Sequence, residues 1–304
     1  MGSLFKKIKK NAKHALQNNW SKAIAIMFIM AMLWAVLAVS EAIISNIAGV
    51  SGYIDKLGTA SIFFDDKPDI SLPAIIISAV FSVLGFMMFF PLSAGICRWN
   101  LNVAAGEQND VSDIFLCFRS IKIYIKSILL GLSLLWRYML WALLFFALPF
   151  FVQIFGIKLL QGAESALFSV LSSIMVLISV LMWVICFILF AIFIQKYSMV
   201  KYILVLDAQQ PVSHIIKLSC QAVHGNRLKL TLFKLSFLLH YFIGIILLLP
   251  MLYVIPFFNA STAIYAKLLL EKHKIQLANE PFLKHHDELF INTGDNSQPE
   301  SEMQ

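Results

Sequence analysis

Residues 167–194 read LFSVLSSIMVLISVLMWVICFILFAIFI, a run of twenty-eight positions without a charged side chain. An α-helix of about 20 apolar residues crosses the ~30 Å hydrocarbon core of a bilayer, so this run predicts a transmembrane helix that is long enough to tilt. The whole chain fits that interpretation, because 60% of its 304 residues are hydrophobic and 13% are charged. Such a composition leaves too little polar surface for a water-soluble globule, and it excludes a disordered or collagen-like chain.

Five further apolar runs lie along the chain, and with the first they predict an all-α bundle of six transmembrane helices. The predicted spans cover residues 23–47, 72–96, 127–151, 167–194, 230–249 and 254–270. They make one membrane domain over residues 23–272. A basic segment at 1–22 precedes it, and a polar, acidic tail at 273–304 follows, which we expect to be disordered.

The distribution of lysine and arginine predicts the orientation of the chain. Nineteen of these residues lie at the two termini and in the connections after spans two and four, against three on the other side. Basic residues concentrate on the cytoplasmic side of membrane proteins. The first apolar run is longer than that of a usual signal peptide, so we expect it to be retained. The sequence therefore predicts a multi-pass protein of the cell (plasma) membrane with both termini in the cytoplasm.

The first 22 residues are basic and patterned as a helix. Leu4, Phe5, Ile8, Ala12 and Leu16 fall on one stripe, and no acidic residue is present. This pattern predicts an amphipathic helix in the membrane interface; the alternative is a solvated basic tail. The side chains expected to contact anionic lipids are Lys6, Lys7, Lys9, Lys10 and Lys13. A basic start and an acidic end argue against nucleic-acid binding, and no motif identifies a protein partner.

Short motifs repeat along the chain. VSDI at 111–114 recurs as VSHI at 212–215, and LSLL at 132–135 recurs as LSFL at 235–238. Lys22, Lys126 and Lys229 hold equivalent places before spans one, three and five. Such repeats indicate a chain built from copies of one unit. The pattern predicts three units, each an amphipathic helix followed by a helical hairpin. The helices are expected to begin at the serine N-caps Ser3, Ser112 and Ser213.

Several segments carry a resemblance to a known family. They are PLSAG at 91–95, GE at 106–107, VSDIF at 111–115, YSMVKYIL at 197–204 and GNRLKL at 225–230. Over roughly residues 5–272 the chain resembles the uncharacterised bacterial membrane family known as domain of unknown function 975. It is similar, more distantly, to the membrane domain of some glycerophosphoryl diester phosphodiesterases. Both resemblances imply a six-span helical domain, and neither supplies catalytic residues.

Three polar residues in the apolar runs are candidates for a ligand site. Arg137 lies eleven residues past Lys126, about 16 Å along a helix and near the bilayer midplane, where an ionised group usually faces the bundle interior. The repeat offset makes His240 its equivalent in the fifth span, and Asn259 follows Pro256 in the sixth. One interpretation is a central pocket in which Arg137 and His240 bind a phosphate or carboxylate. The other is structural, with Arg137 bonded to backbone carbonyls and His240 a neutral core residue.

No catalytic signature is present, so we expect no enzymatic activity. The four cysteines, Cys97, Cys117, Cys186 and Cys220, lack metal-ligand spacing and are interpreted as packing residues, so neither a metal nor a cofactor is expected. Two functional classes remain. An accessory or membrane-organising role is favoured, because no acidic residue lies mid-span to couple transport to a cation. The alternative is a transport-like or lipid- or anion-binding protein with the central pocket.

Overall fold

The computed structural model describes residues 2–49, 72–107, 109–161, 166–247 and 250–272. The predicted acidic tail at 273–304 lies outside these residues. In the described part of the chain every regular element is helical, and six segments are long and apolar enough to cross a membrane. The predicted all-α, six-span class is confirmed. The α-helices are α1 Gly2–Leu16, α2 Trp20–Ile47, α3 Leu72–Ala105, α4 Ile121–Gln161, α5 Ala166–Ile194, α6 Val200–Leu206, α7 Val212–Ala222, α8 Arg227–Leu235, α9 Leu238–Leu247 and α10 Met251–Lys272.

The last span, α10, is the central helix of the bundle. The protein buries 67% of its apolar window, against 6–22% for the other five spans. Small side chains at Ala260, Ala263 and Ala266 are fully buried, which lets neighbouring helices approach closely. Because the other spans expose most of their apolar surface, they are suited to contact lipid.

Helix α1 packs against the protein. Ile8, Ala12 and Leu16 are at most 1% exposed, and the Phe5 ring lies 5.4 Å from that of Phe233. Its main neighbour is α10. We expected this apolar stripe to lie in the membrane interface. That expectation is wrong for its buried residues, because α1 packs against α10 and α3. The same periodicity serves either environment.

The predicted serine N-caps are also wrong. Helix α1 begins at Gly2, so Ser3 lies inside it, and α7 has Pro211 at its N-cap. The segment Val111–Phe118 is a 3₁₀ helix capped by Asp110, whose carboxylate accepts a hydrogen bond from the Val111 N–H. A carboxylate is a strong helix-start acceptor, so Ser112 instead donates its hydroxyl to Asp110.

This 3₁₀ helix lies directly on α3. A Cβ atom added at Gly95 would overlap the backbone carbonyl of Ile114. Helix α3 continues to Ala105, nine residues beyond the predicted span, and ten of its residues from Pro91 to Ala105 are buried in the core. The buried core therefore lies at the lysine-rich end of the spans.

The fifth span is divided at Ser236 and Phe237. Helix α8 ends at Leu235 and α9 begins at Leu238, and the Ser236 carbonyl accepts a hydrogen bond from Lys9 Nζ at 3.1 Å. The Lys9 ammonium also lies 4.1 Å from the centre of the Phe237 ring. Burial lowers the pKa of Lys9 below its ordinary value. The break therefore supplies a backbone acceptor that ties α1 to the fifth span.

Candidate functional site

A cavity of about 360 Å³ opens between α2, α3 and α10. It begins one residue after Lys22, at the start of the first span, and follows α2 as far as Ala31. The residues that line it are Ala23, Ile26, Met27, Met30, Ala31, Ile96, Trp99, Asn100, Ile255, Pro256 and Asn259. None of these eleven side chains is charged. The volume lies within the range of small-molecule pockets, at its lower end.

The local sequence explains why space remains at this position. Small residues on α2, Ala23 and Ala31, leave room that a larger side chain would fill. On α10, Pro256 lies inside the helix and has no N–H to donate, which interrupts the backbone ladder three residues before Asn259. The methionines on α2 are unbranched and adaptable, so they can line an irregular pocket without fixing its shape.

Two adjacent residues of α3 that line the cavity, Trp99 and Asn100, carry buried polar atoms without hydrogen-bond partners. Trp99 is 2% exposed and Asn100 is 3% exposed. The Asn100 amide nitrogen donates to the Ile96 carbonyl at 2.8 Å, but Asn100 Oδ1 and Trp99 Nε1 have no hydrogen-bond partner. Most buried polar groups in proteins are paired, and leaving one unpaired costs about 1–3 kcal/mol. Two residues of a mostly apolar lining therefore carry one unpaired donor and one unpaired acceptor.

Comparison with known proteins places this architecture in a family. A family model described as "Protein of unknown function (DUF975)" matches residues 3–273. The chain belongs to this family. The match confirms the resemblance expected from the sequence, and it spans the whole cavity. Neither the curated proteins nor the solved structures contain a match, so the more distant similarity to the phosphodiesterase membrane domain is without support.

In this DUF975 chain, Arg137 and His240 lie away from the cavity. Both side chains are exposed, so the interpretation that placed them together in a central pocket does not hold for this cavity. Helix α4 has 41 residues, about 60 Å at 1.5 Å per residue, so it is roughly twice as long as the hydrocarbon core is thick. A depth counted from Lys126 therefore does not locate Arg137 in the bilayer. On α4 it is Leu134, 3% exposed, that faces the core.

Of the three predicted site residues, Asn259 alone lines the cavity, where it is half-buried. Trp99 and Asn100 were not predicted as site residues. In the sequence, these two polar residues and Asn102 stand at the end of an apolar run. Only the packing of the helices shows which of their polar atoms lack hydrogen-bond partners. Among the described residues, no cluster of three or more His, Cys, Asp or Glu side chains is arranged to hold a metal ion.

Proposed function

We propose that this DUF975 protein binds an amphipathic molecule in the cavity between α2, α3 and α10. The single observation that carries the proposal is that Trp99 and Asn100, which line an uncharged and mostly apolar cavity, each carry a polar atom without a hydrogen-bond partner. This is the lipid-binding, transport-like class of function. It is favoured over a purely accessory role, because a scaffold has no need of a cavity with unpaired polar groups.

The chemistry of the lining selects the ligand's polar group. A hydroxyl can both accept a hydrogen bond, as the Trp99 indole requires, and donate one, as the Asn100 amide oxygen requires. A carboxylate or phosphate cannot donate when it is ionised, and no lining side chain would balance its charge. The ligand is therefore a neutral amphiphile with a hydroxyl or amide group and an apolar chain.

The position of the cavity indicates how such a ligand reaches it. Ala23, at one end of the cavity, follows Lys22 directly, so this end lies where the basic side of the first span begins. With the proposed orientation, both termini in the cytoplasm and the protein in the plasma membrane, the ligand enters from the cytoplasmic leaflet.

Thermal melting of the full chain in detergent with undecan-1-ol tests the proposal. A ligand that binds only the folded protein stabilises it by about 2.7 kcal/mol at a hundred times its dissociation constant. We expect the melting temperature to rise with undecan-1-ol and to rise far less with undecanoate. Asn100→Leu should lose the response. A response that undecanoate matches, or that Asn100→Leu retains in full, would overturn the proposal.

Asn102→Leu is the matched control. Asn102 lies two residues further along α3, is also buried and also has an unpaired Oδ1, but it does not line the cavity. It should respond to undecan-1-ol as the wild type does. If both variants lose the response, the effect comes from the stability of α3, and the cavity has no role in binding.

We also propose that α1 contacts anionic lipid headgroups. Because its apolar face is covered by protein, its exposed lysines project together from the opposite face: Lys6, Lys7, Lys10 and Lys13. Basic side chains near an anionic leaflet contribute about 1 kcal/mol each. Replacing these four lysines with glutamine should reduce crosslinking of α1 to anionic lipid in vesicles. Unchanged crosslinking would contradict this role.

A further inference from the structure

A buried lysine lies at the end of the fourth apolar run. Lys196 is 8% exposed, and its ammonium is enclosed by aromatic rings. Its Nζ lies 4.0 Å from the Trp141 ring centre, 3.9 Å from that of Phe193 and 4.8 Å from that of Tyr197. Ring faces attract a cation, especially one that is removed from water. The rings attract the Lys196 ammonium, but they supply no negative charge to pair with it.

Arg227, at the start of α8, approaches the same aromatic group. Its guanidinium carbon lies 5.6 Å from the centre of the Phe193 ring. The Arg227 Nε atom is buried and has no hydrogen-bond partner. A guanidinium is charged at every physiological pH, so this unpaired N–H belongs to a permanent cation that can still donate to an anion.

Arg137 completes the group from α4. It precedes Trp141 by four residues, which places the two side chains on one face of the helix, and Trp141 covers Lys196. The positive charges of all three cations act on the thiol of Cys220, on α7. Burial raises the pKa of the Cys220 thiol, and the positive charges of Lys196, Arg227 and Arg137 each oppose that rise. Lys196 and Arg227 therefore share the Phe193 ring, and Arg137 lies within electrostatic reach of the same thiol.

No acidic residue in the described part of the chain forms an ion pair with any of these three cations. Asp113 pairs with Arg119 and Glu271 with Lys267. Three positive charges without a carboxylate repel one another, most strongly where water is excluded. An anion bound between them would relieve this repulsion. Arg137 is exposed, and the neighbouring Trp136 is 63% exposed, so the group is open on its membrane side.

We propose that Arg137, Lys196 and Arg227 form a binding site for the phosphate of an anionic headgroup, supplied by a phospholipid of the surrounding leaflet. Arginine binds phosphate through two parallel N–H donors, and lysine adds a compact positive charge. The exposed Trp136 beside Arg137 suits the level at which headgroups meet acyl chains. This site shares no residue with the cavity, so either site can exist without the other.

Native mass spectrometry of the full chain in detergent tests the site. The protein is mixed with equal amounts of phosphatidylglycerol and phosphatidylcholine, and the bound lipids are counted. We expect the wild type to retain phosphatidylglycerol at least tenfold more than phosphatidylcholine. The double variant Arg137→Gln/Arg227→Gln should lose most of this preference, because each charge-assisted hydrogen bond contributes about a factor of ten in affinity.

Two further variants separate a site from general surface charge. Lys122→Gln removes an exposed charge from the same helix and should keep the preference. Arg137→Lys keeps the positive charge, and it should keep most of the preference for phosphatidylglycerol. Excess inorganic phosphate distinguishes the two sources of the anion: retention of the lipid supports the phospholipid, whereas its displacement would overturn the lipid assignment. Equal preference in the wild type and the double variant would overturn the whole proposal.

Discussion

Lys126 donates a hydrogen bond to the backbone carbonyl of Ala208 at 2.6 Å, across the interface between α4 and the segment that leads into α7. Lys22 makes the same kind of contact with the carbonyl of Asn109, at 2.5 Å, just before the 3₁₀ helix. Each lysine lies in the first two turns of its helix, and each acceptor lies a few residues before another helix: Asn109 before the 3₁₀ helix and Ala208 before α7. The predicted repeat makes Lys22 and Lys126 equivalent. It stays a prediction, and these contacts give it a measurable consequence.

Replacing either lysine should destabilise the protein by a similar amount. A hydrogen bond from a charged donor contributes about 1.5–3 kcal/mol, so Lys22→Met and Lys126→Met should each lower the free energy of unfolding by that much. Denaturant unfolding in detergent measures it. Lys229, the third predicted equivalent, makes no such hydrogen bond among the described residues, so Lys229→Met is the control. If Lys229→Met lowers the free energy of unfolding as much as the other two variants do, the two hydrogen bonds are not the cause of the loss.

Gly95 is a close-approach position. In Gly95→Ala the new methyl group would overlap the Ile114 backbone, which cannot move aside as a flexible side chain can. We expect a loss of at least about 3 kcal/mol, or no folded protein. In Gly85→Ala, on the same helix, the new methyl group would lie 4.0 Å from Phe89 Cδ2, which is ordinary contact, and the melting temperature should stay unchanged or rise. A tolerated Gly95→Ala would show that the 3₁₀ helix does not pack on α3.

The stability of the folded protein should depend on pH through the carboxyl group of Asp110. Hydrogen bonds from the Ser112 hydroxyl and the Val111 N–H hold the pKa of the Asp110 carboxyl below its ordinary value. A carboxyl whose pKa is lower in the folded state stabilises that state above its unfolded pKa, and the contribution disappears as the pH falls through the folded value. The melting temperature of the wild type should therefore fall further on acidification than that of Asp110→Asn. Identical acid profiles would contradict the capping role.

The six spans could be predicted because apolar length is read directly from the sequence. Packing could not be read in the same way. The stripe of Ile8, Ala12 and Leu16 fits a lipid surface or a protein groove equally well, and only the presence of α10 decides. The depth of Arg137 depended on where α4 enters the membrane. The free atoms of Trp99 and Asn100 depend on neighbours from three helices, which no local pattern reports.

The central claim is that a neutral amphiphile occupies the cavity beside Trp99. The chain has six tryptophans, so a variant that keeps Trp99 and replaces the other five with phenylalanine reports from the cavity alone. A second variant keeps only Trp183, whose indole donates to Gln153 Oε1 at 2.9 Å and which does not line the cavity. Circular dichroism is the control that checks whether both variants remain helical.

Quenching of tryptophan fluorescence by 11-bromoundecan-1-ol is the most direct measurement. Bromine quenches an indole that it contacts. We predict saturable quenching of Trp99 that unbrominated undecan-1-ol reverses by competition, and weak, non-saturating quenching of Trp183. Equal, linear quenching of both tryptophans, unaffected by the competitor, would mean that the alcohol dissolves around the protein without entering the cavity, and would contradict the account.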